Sequence, residues 1–184
     1  MNILAIDTTT DKITLGLKAS NEEFFYVGES GSKRHNETLL TQIDFLLDKA
    51  GINVRELDVV GVVCGPGSFT GIRIGVATAN AISMATKCKT VEITSLEQSF
   101  DGTDKIVLLD CGHNNYYAAI FEQGKVSYTE ISVEQIADQT LKIEYLTESN
   151  PQKILKKCIE KAEKGDFVEQ SKPFYMKKSS AERE

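Results

Sequence analysis

Histidine occurs only twice in this 184-residue chain, which leaves little material for a histidine metal site. His35 precedes a helical pattern, and the position four residues on, where a second helical ligand belongs, is Leu39. His113 follows Cys111 with one residue between them, a spacing at a strand end that does not give a thiol–imidazole nucleophile its geometry. The four cysteines (Cys64, Cys88, Cys111, Cys158) form no C-x-x-C pair and read as free thiols, not as a zinc site or disulfide framework. No run reaches the roughly 20 apolar residues that span a bilayer, and the start of the chain lacks the basic region and cleavage site of a signal peptide, so a cytoplasmic location is expected. With 21 basic against 27 acidic residues the net charge is −6, which argues against a protein that grips a phosphate backbone by itself. The late lysines (Lys153, Lys156, Lys157, Lys177, Lys178) are interleaved with acids and read as a solvated face.

What the chain does have is glycine in one place. Gly65-Pro66-Gly67-Ser68-Phe69-Thr70-Gly71-Ile72-Arg73-Ile74-Gly75 follows the apolar run 59–64, a buried strand, and opens onto a helix over about 71–86. Such a turn lets the backbone approach a ligand or another chain closely, and the helix behind it presents unpaired N–H groups. Ser68 or Thr70 is placed to cap it. The stretch is neither G-x-x-x-x-G-K-[ST] nor G-x-G-x-x-G, and no G-x-S-x-G elbow occurs. Between Arg73 and Lys87 the helix carries no charge, so it is buried on more than one side. Gly71, Gly75 and Ala79 form a smooth ridge, flanked by Ile72 and Val76, with Ile74, Ala77, Ala81 and Ala85 opposite. One side of this helix is expected on the sheet and the other against a helix, either the chain's own over 36–50 or, the preferred reading for so small a lobe, a partner's.

Along the chain, strands are expected over 3–7, 13–17 and 24–27, then a helix over 36–50 with Asn36 as its cap and Gly51 as its stop. Its stripe is Leu39, Leu40, Ile43, Leu46, Leu47 and Ala50. Strands at 58–64 and 90–94 flank the second helix, and Ser95 begins another short one. From 106 the opening pattern repeats: a strand ending in Asp110, then a hairpin of 116–122 and 125–131 turning at Gln123-Gly124. A short helix over 132–138, a weak strand over 141–146, a helix over about 151–164 and an extended tail follow. The order is α/β: a first lobe over 1–100 with a mixed five-stranded sheet, and a smaller second lobe over 101–184 with the tail. Asp7 and Asp110 fall at equivalent places in the two.

Asp7 with Thr8 and Thr9 ends the first strand, where an acid can hold magnesium and hydroxyls can face phosphate, though the same residues also make an ordinary strand-to-turn sequence. Together with Gly67, Ser68 and Thr70 these residues make a candidate nucleotide or anion site. A small-molecule kinase or ATPase using Asp7 and Asp110 is one reading. No catalytic nucleophile, carboxylate pair or metal set stands out.

Ile6-Asp7-Thr8-Thr9, Arg34-His35-Asn36-Glu37-Thr38-Leu39-Leu40, Gly65 to Gly75, Leu108-Leu109-Asp110 with Tyr116-Tyr117, and Pro173-Phe174-Tyr175-Met176-Lys177 with Ala181-Glu182 together resemble the TsaB (YeaZ) family nearly end to end. The resemblance implies two ribonuclease-H-like lobes of the actin, sugar kinase and heat-shock protein 70 superfamily. It also implies a non-catalytic subunit that works with TsaD and the TsaE ATPase to place threonylcarbamoyl on adenosine 37 of ANN-decoding tRNAs, with catalysis in TsaD. An M22-type peptidase would need the missing metal ligands. The family's partner surface, carried onto this chain, is Leu39, Leu40, Ile43, Leu47, Gly71, Ile72, Gly75, Val76 and Ala79, and homodimers form through similar surfaces. No tightly bound cofactor is expected, ATP or ADP with magnesium belongs to the interface of the assembled complex, and tRNA is met only through that complex. The second lobe is shorter than is usual for the family.

Overall fold

The computed structural model describes residues 1–28 and 35–176, and of residues 35–37 the backbone alone. The loop at 29–34, the side chains of His35 and Asn36 (the expected cap), and Lys177, Lys178, Ala181 and Glu182 therefore lie outside the described residues.

β1 (Ile3–Asp7), β2 (Thr14–Ala19) and β3 (Glu22–Val27) form the expected antiparallel meander. β4 (Val59–Val63) lies parallel to β1, and β5 (Lys89–Ile93) parallel to β4, giving a mixed sheet in the order β3-β2-β1-β4-β5. Every residue of β1 and β4 is buried, because both sheet faces are covered; this is why these strands read as continuous apolar runs. α1 (His35–Ala50) and α2 (Phe69–Thr86) cover one face, where Leu39, Ile43, Leu46, Ile72, Val76 and Ala79 pack on Leu4, Ile6, Leu15, Leu17, Val60 and Val62. Gly51, at φ +68, stops α1 as expected.

The glycine ridge of α2 faces this sheet and not solvent. Gly71, Ile72, Gly75, Val76 and Ala79 are all buried. Thr8 Oγ1 donates to the Gly71 carbonyl at 2.7 Å, so the helix runs directly over the end of β1. A Cβ on Gly71 would collide with the Thr8 carbonyl oxygen, and one on Gly75 with Thr8 Oγ1. The expected partner surface is corrected accordingly: its α2 members and Leu39, Ile43 and Leu47 belong to the chain's own core, and only Leu40 is exposed. The residues read as the opposite side of α2 are the outward ones, with Ala77, Ala81 and Ala85 exposed and Ile74 half-buried.

The second lobe is a four-stranded sheet in the order β8-β7-β6-β9, built from β6 (Lys105–Gly112), β7 (Asn115–Glu122), β8 (Lys125–Ser132) and β9 (Lys142–Tyr145). β9 lies parallel to β6, and the one-turn helix α3 (Val133–Ile136) leads into it. Val107, Ala119 and Phe121 pack with Leu96 and Phe100 on one face; Ile106, Leu108 and Ala118 pack with Ile136 and Leu141 on the other.

α4 (Pro151–Glu163) then returns to the first lobe. Asn150 caps it by accepting from Lys153 N, and Pro151 opens its first turn. Ile154, Leu155, Cys158 and Ala162 pack on Ile3, Ala5, Val59, Val63, Val91 and Ile93, the second face of the first sheet. Full burial of Ile154 and Leu155 contributes roughly 2–3 kcal/mol each. A boundary at residue 100 thus assigns to the second lobe a helix whose apolar face packs on the first sheet; by packing, α4 belongs with the first lobe. Lys105, 2% exposed, ties the parts together: its Nζ lies 2.9 Å from Asp101 Oδ2 and 2.9 Å from Glu144 Oε2. Glu144 also reaches Lys153 of α4 at 3.5 Å.

Two stability outcomes follow from this packing. Gly71→Ala should destabilise the chain by about 3 kcal/mol or prevent folding, since Thr8 is backbone that cannot retreat, whereas Ala77→Ser on the outward side should be near neutral in urea denaturation. Lys105→Met should cost roughly 2 kcal/mol, less than a sealed pair's roughly 3–5 because Asp101 and Glu144 keep some water. An unchanged urea midpoint would show that the network contributes nothing.

Candidate functional site

Between the lobes lies a cavity of about 350 Å³. From the first lobe it is lined by Thr9, Thr10, Gly67, Ser68, Ser95 and Gln98. Leu109, Asp110, Cys111, Tyr117 and the segment Leu146–Ser149 form the other wall. The wall exists because β1 and β6 both end here and because the glycine turn is stitched to β1: Ser68 N donates to the Thr9 carbonyl at 2.7 Å. Ser95 Oγ donates to the Pro66 carbonyl at 2.6 Å. Ser68 caps α2 by accepting from Gly71 N at 3.2 Å.

The candidate nucleotide residues divide. Thr9, Gly67 and Ser68 line the cavity, and Asp110 faces it from the second lobe, accepting from Gly112 N at 2.7 Å. Thr8 is consumed by the Gly71 carbonyl, and Thr70 stands exposed on the first turn of α2, outside the lining. Asp7 is 1% exposed and engaged at both oxygens: Oδ1 accepts from Thr9 N (2.8 Å) and Thr9 Oγ1 (2.7 Å), and Oδ2 accepts from Ser149 Oγ (2.5 Å). Burial pushes its carboxyl above the ordinary value, partly offset by these three donors. Ser149 thus occupies the side of Asp7 from which a cation would have to be held.

Among the described residues the cavity's lining carries the carboxylates of Asp110 and Glu148 and no lysine or arginine to meet phosphate charge. Glu148 has Lys12 at 3.6 Å. A kinase or ATPase reading needs Asp7 on the cleft, and the structure places it behind Ser149. Among the described residues no cluster of three or more His, Cys, Asp or Glu could hold a metal ion. His113 is exposed in the tight β6–β7 turn, at φ 57. No helix among them is long and apolar enough to cross a membrane.

Two features escaped the reading of the sequence. Ser149 stands two residues before Pro151 with no pattern of its own, yet it closes on Asp7 from 142 positions away. Gln98, 4% exposed, donates to the Ser95 carbonyl and accepts from Asn150 N at 2.9 Å, joining the linker to the start of α4. Neither partner is local, so no pattern in the neighbouring residues announces it.

Because Asp7 takes up its proton at higher pH when folded than when unfolded, its contribution to stability is fully present below 3.8 and lost as pH rises through the folded value. Asp7→Asn removes that loss. Relative to the parent, the variant's urea midpoint should improve as pH rises from 3.8 toward the folded value of Asp7. A relative midpoint that falls with rising pH would contradict a buried, desolvated carboxyl.

The profile of the TsaD family, tRNA N6-adenosine threonylcarbamoyltransferase, matches residues 26–182. An uncharacterised Mycobacterium leprae protein is 35% identical over 128 residues, 66% of this chain and 36% of that protein. The tRNA threonylcarbamoyladenosine biosynthesis protein TsaB of Haemophilus influenzae is 24% identical over 165 residues, 82% of this chain and 70% of that protein. YeaZ from Pseudomonas aeruginosa superposes with a TM-score of 0.74 over 95% of this chain and 99% of that one, at 18% identity, a likeness of fold. The chain spans little more than a third of the first of these relatives and most of the others. The profile match over most of the length, the named relatives and the shared two-lobed fold place the chain in the tRNA threonylcarbamoyltransferase family, on its TsaB/YeaZ branch.

Proposed function

We propose that this chain is a non-catalytic subunit in threonylcarbamoylation of adenosine 37 of ANN-decoding tRNAs, acting by docking a TsaD subunit that performs the transfer. The observation that carries the reading is the outward stripe of α2, exposed and without charge between Arg73 and Lys87. α1 and α2 touch and lie on one side of the sheet. They leave Leu40 (58%), Phe45 (55%) and Met84 (67%) exposed, as are Ala77, Ala81 and Ala85, with Asp44, Asp48 and Lys49 on the outer side of α1. A row of alanines on the uncharged length of α2 lets another helix approach closely, and exposed apolar residues on a helix pair suit an interface. A partner of the same fold would bring equivalent helices, and two copies of this chain would join through the same face when the partner is missing.

The cleft supports the non-catalytic part of the reading. Its acid is bonded by Ser149, its described lining holds no lysine or arginine, and the Ser95 hydroxyl is spent on the Pro66 carbonyl. Nucleotide and magnesium are therefore assigned to the joint between subunits, with TsaE as the ATPase of the assembly. With a net charge of −6, tRNA contact falls chiefly to the partners.

Ala77→Arg with Ala81→Glu puts two long charged side chains on the outward stripe without touching the core. The double variant should keep the parental melting temperature within about 2 °C, lose co-elution with TsaD and abolish tRNA modification by the reconstituted mixture. Co-elution at parental level would overturn the assignment of this face.

A further inference from the structure

After α4 the chain does not leave the molecule; residues 166–176 run back along the open edge of β5 and over the glycine turn. Val168 N donates to the Thr90 carbonyl at 3.0 Å. The Asn80 side chain pairs with both backbone groups of Ser171, at 2.9 Å each way. Lys172 N donates to Glu92 Oε1 at 2.6 Å, and Phe174 N to the Cys64 carbonyl at 2.8 Å. The strap lies so close to the turn that a Cβ on Gly65, at φ +121, would collide with the Phe174 carbonyl oxygen.

Its last three described residues each reach a different place. Phe174 meets Tyr128 of β8 edge-on, with ring centroids 5.2 Å apart, and Tyr128 in turn hydrogen-bonds Thr94 after β5. Tyr175 stacks on Phe69 at 4.8 Å, and its hydroxyl accepts from Arg73 Nε at 3.0 Å. Met176 packs with the second-lobe cluster of Leu96, Val107, Ala119 and Phe121. Three consecutive side chains thereby connect the first turns of α2, the glycine turn and the second lobe. The strap is held to the turn by one backbone bond and ring contacts with half-buried rings, not by a strand ladder, so it can open locally without unfolding either sheet.

Arg73 is the exposed end of this connection and sits beside Ile74 and one turn before Ala77 on α2. We infer that residues Ser171–Met176 form a clasp that couples the outward face of α2 to the angle between the lobes. The coupling rests on the docking reading above: a subunit of the same fold covering Ala77 and Ala81 also covers Arg73. Arg73 immobilised there holds Tyr175, and Tyr175 keeps Phe174 seated between the glycine turn and Tyr128. Docking then tightens the cleft from outside, at the wall formed by Gly67 and Ser68. The cost of ordering the clasp is met in part before the partner arrives, because the Arg73–Tyr175 bond and the Phe69 stack already exist.

Hydrogen exchange read by mass spectrometry on the full chain, alone and with TsaD, tests this in two separable arms. In the free chain, Phe174→Ala should speed exchange of peptides covering 65–69 and 126–130 by about fivefold while β1 and β4 keep their protection. Unchanged exchange at those two places overturns the clasp whatever the partner does. With TsaD bound to the parent, 126–130 should slow although it lies outside α1 and α2. Tyr175→Phe, which keeps the ring stack and loses only the Arg73 bond, should bind TsaD yet lose that remote slowing. Binding with protection confined to α1 and α2 overturns the coupling. Absence of any binding overturns the docking reading and the coupling built on it, leaving the free-chain arm to decide the clasp alone.

Discussion

The close approach of α2 to the end of β1 is the contact on which the rest of the architecture depends. Thr8 gives its hydroxyl to the Gly71 carbonyl, and the missing Cβ atoms of Gly71 and Gly75 let the helix settle onto the Thr8 backbone. That position fixes the direction in which the glycine turn leaves β4, and so places Gly67 and Ser68 on the cleft. It also determines which side of α2 is left for other molecules. Space, not charge, makes the choice: the small residues that look suited to a partner are needed at home, and the alanines behind them are what remains outside.

The cleft is a site whose polar groups have turned inward. In a two-lobed protein that handles phosphate, an acid at the end of the first strand must keep lone pairs free for a cation. Asp7 has three of its roughly four lone-pair sites taken, two by donors from Thr9 and one by Ser149, in a setting that already disfavours the charged form. The equivalent acid in the second lobe, Asp110, remains exposed, so the two lobes share a plan but not a chemistry. What the acid of the first lobe does is hold the entry to α4.

Much of this was legible from the residues. The meander, the two parallel strands, both long helices and the second-lobe hairpin follow from the apolar period and from Gly51, Gly124 and Pro151 at their ends. The side of α2 that faces inward was not, because a helix apolar all round carries no directional signal; only the distance to Thr8, 63 positions away, decides it. For α4 the amphipathic stripe at Ile154, Leu155, Cys158 and Ala162 is visible, but a stripe says that a helix must be covered and not by which sheet. Asp7 illustrates the same limit at one residue: Asp-Thr-Thr at a strand end is compatible with cation binding or with self-satisfaction, and its partner Ser149 stands 142 positions away.

The return of α4 makes the second lobe an insertion within the first, and this bears on how the molecule forms during synthesis. Ile3, Ala5 and Val59 line a face that stays bare until Ile154 and Leu155 have left the ribosome, although the strands bearing them emerge much earlier. Contacts of such long sequence separation close late and slowly. A nascent chain halted anywhere in the second sheet therefore displays a sticky aliphatic plane, the natural target for a holding chaperone.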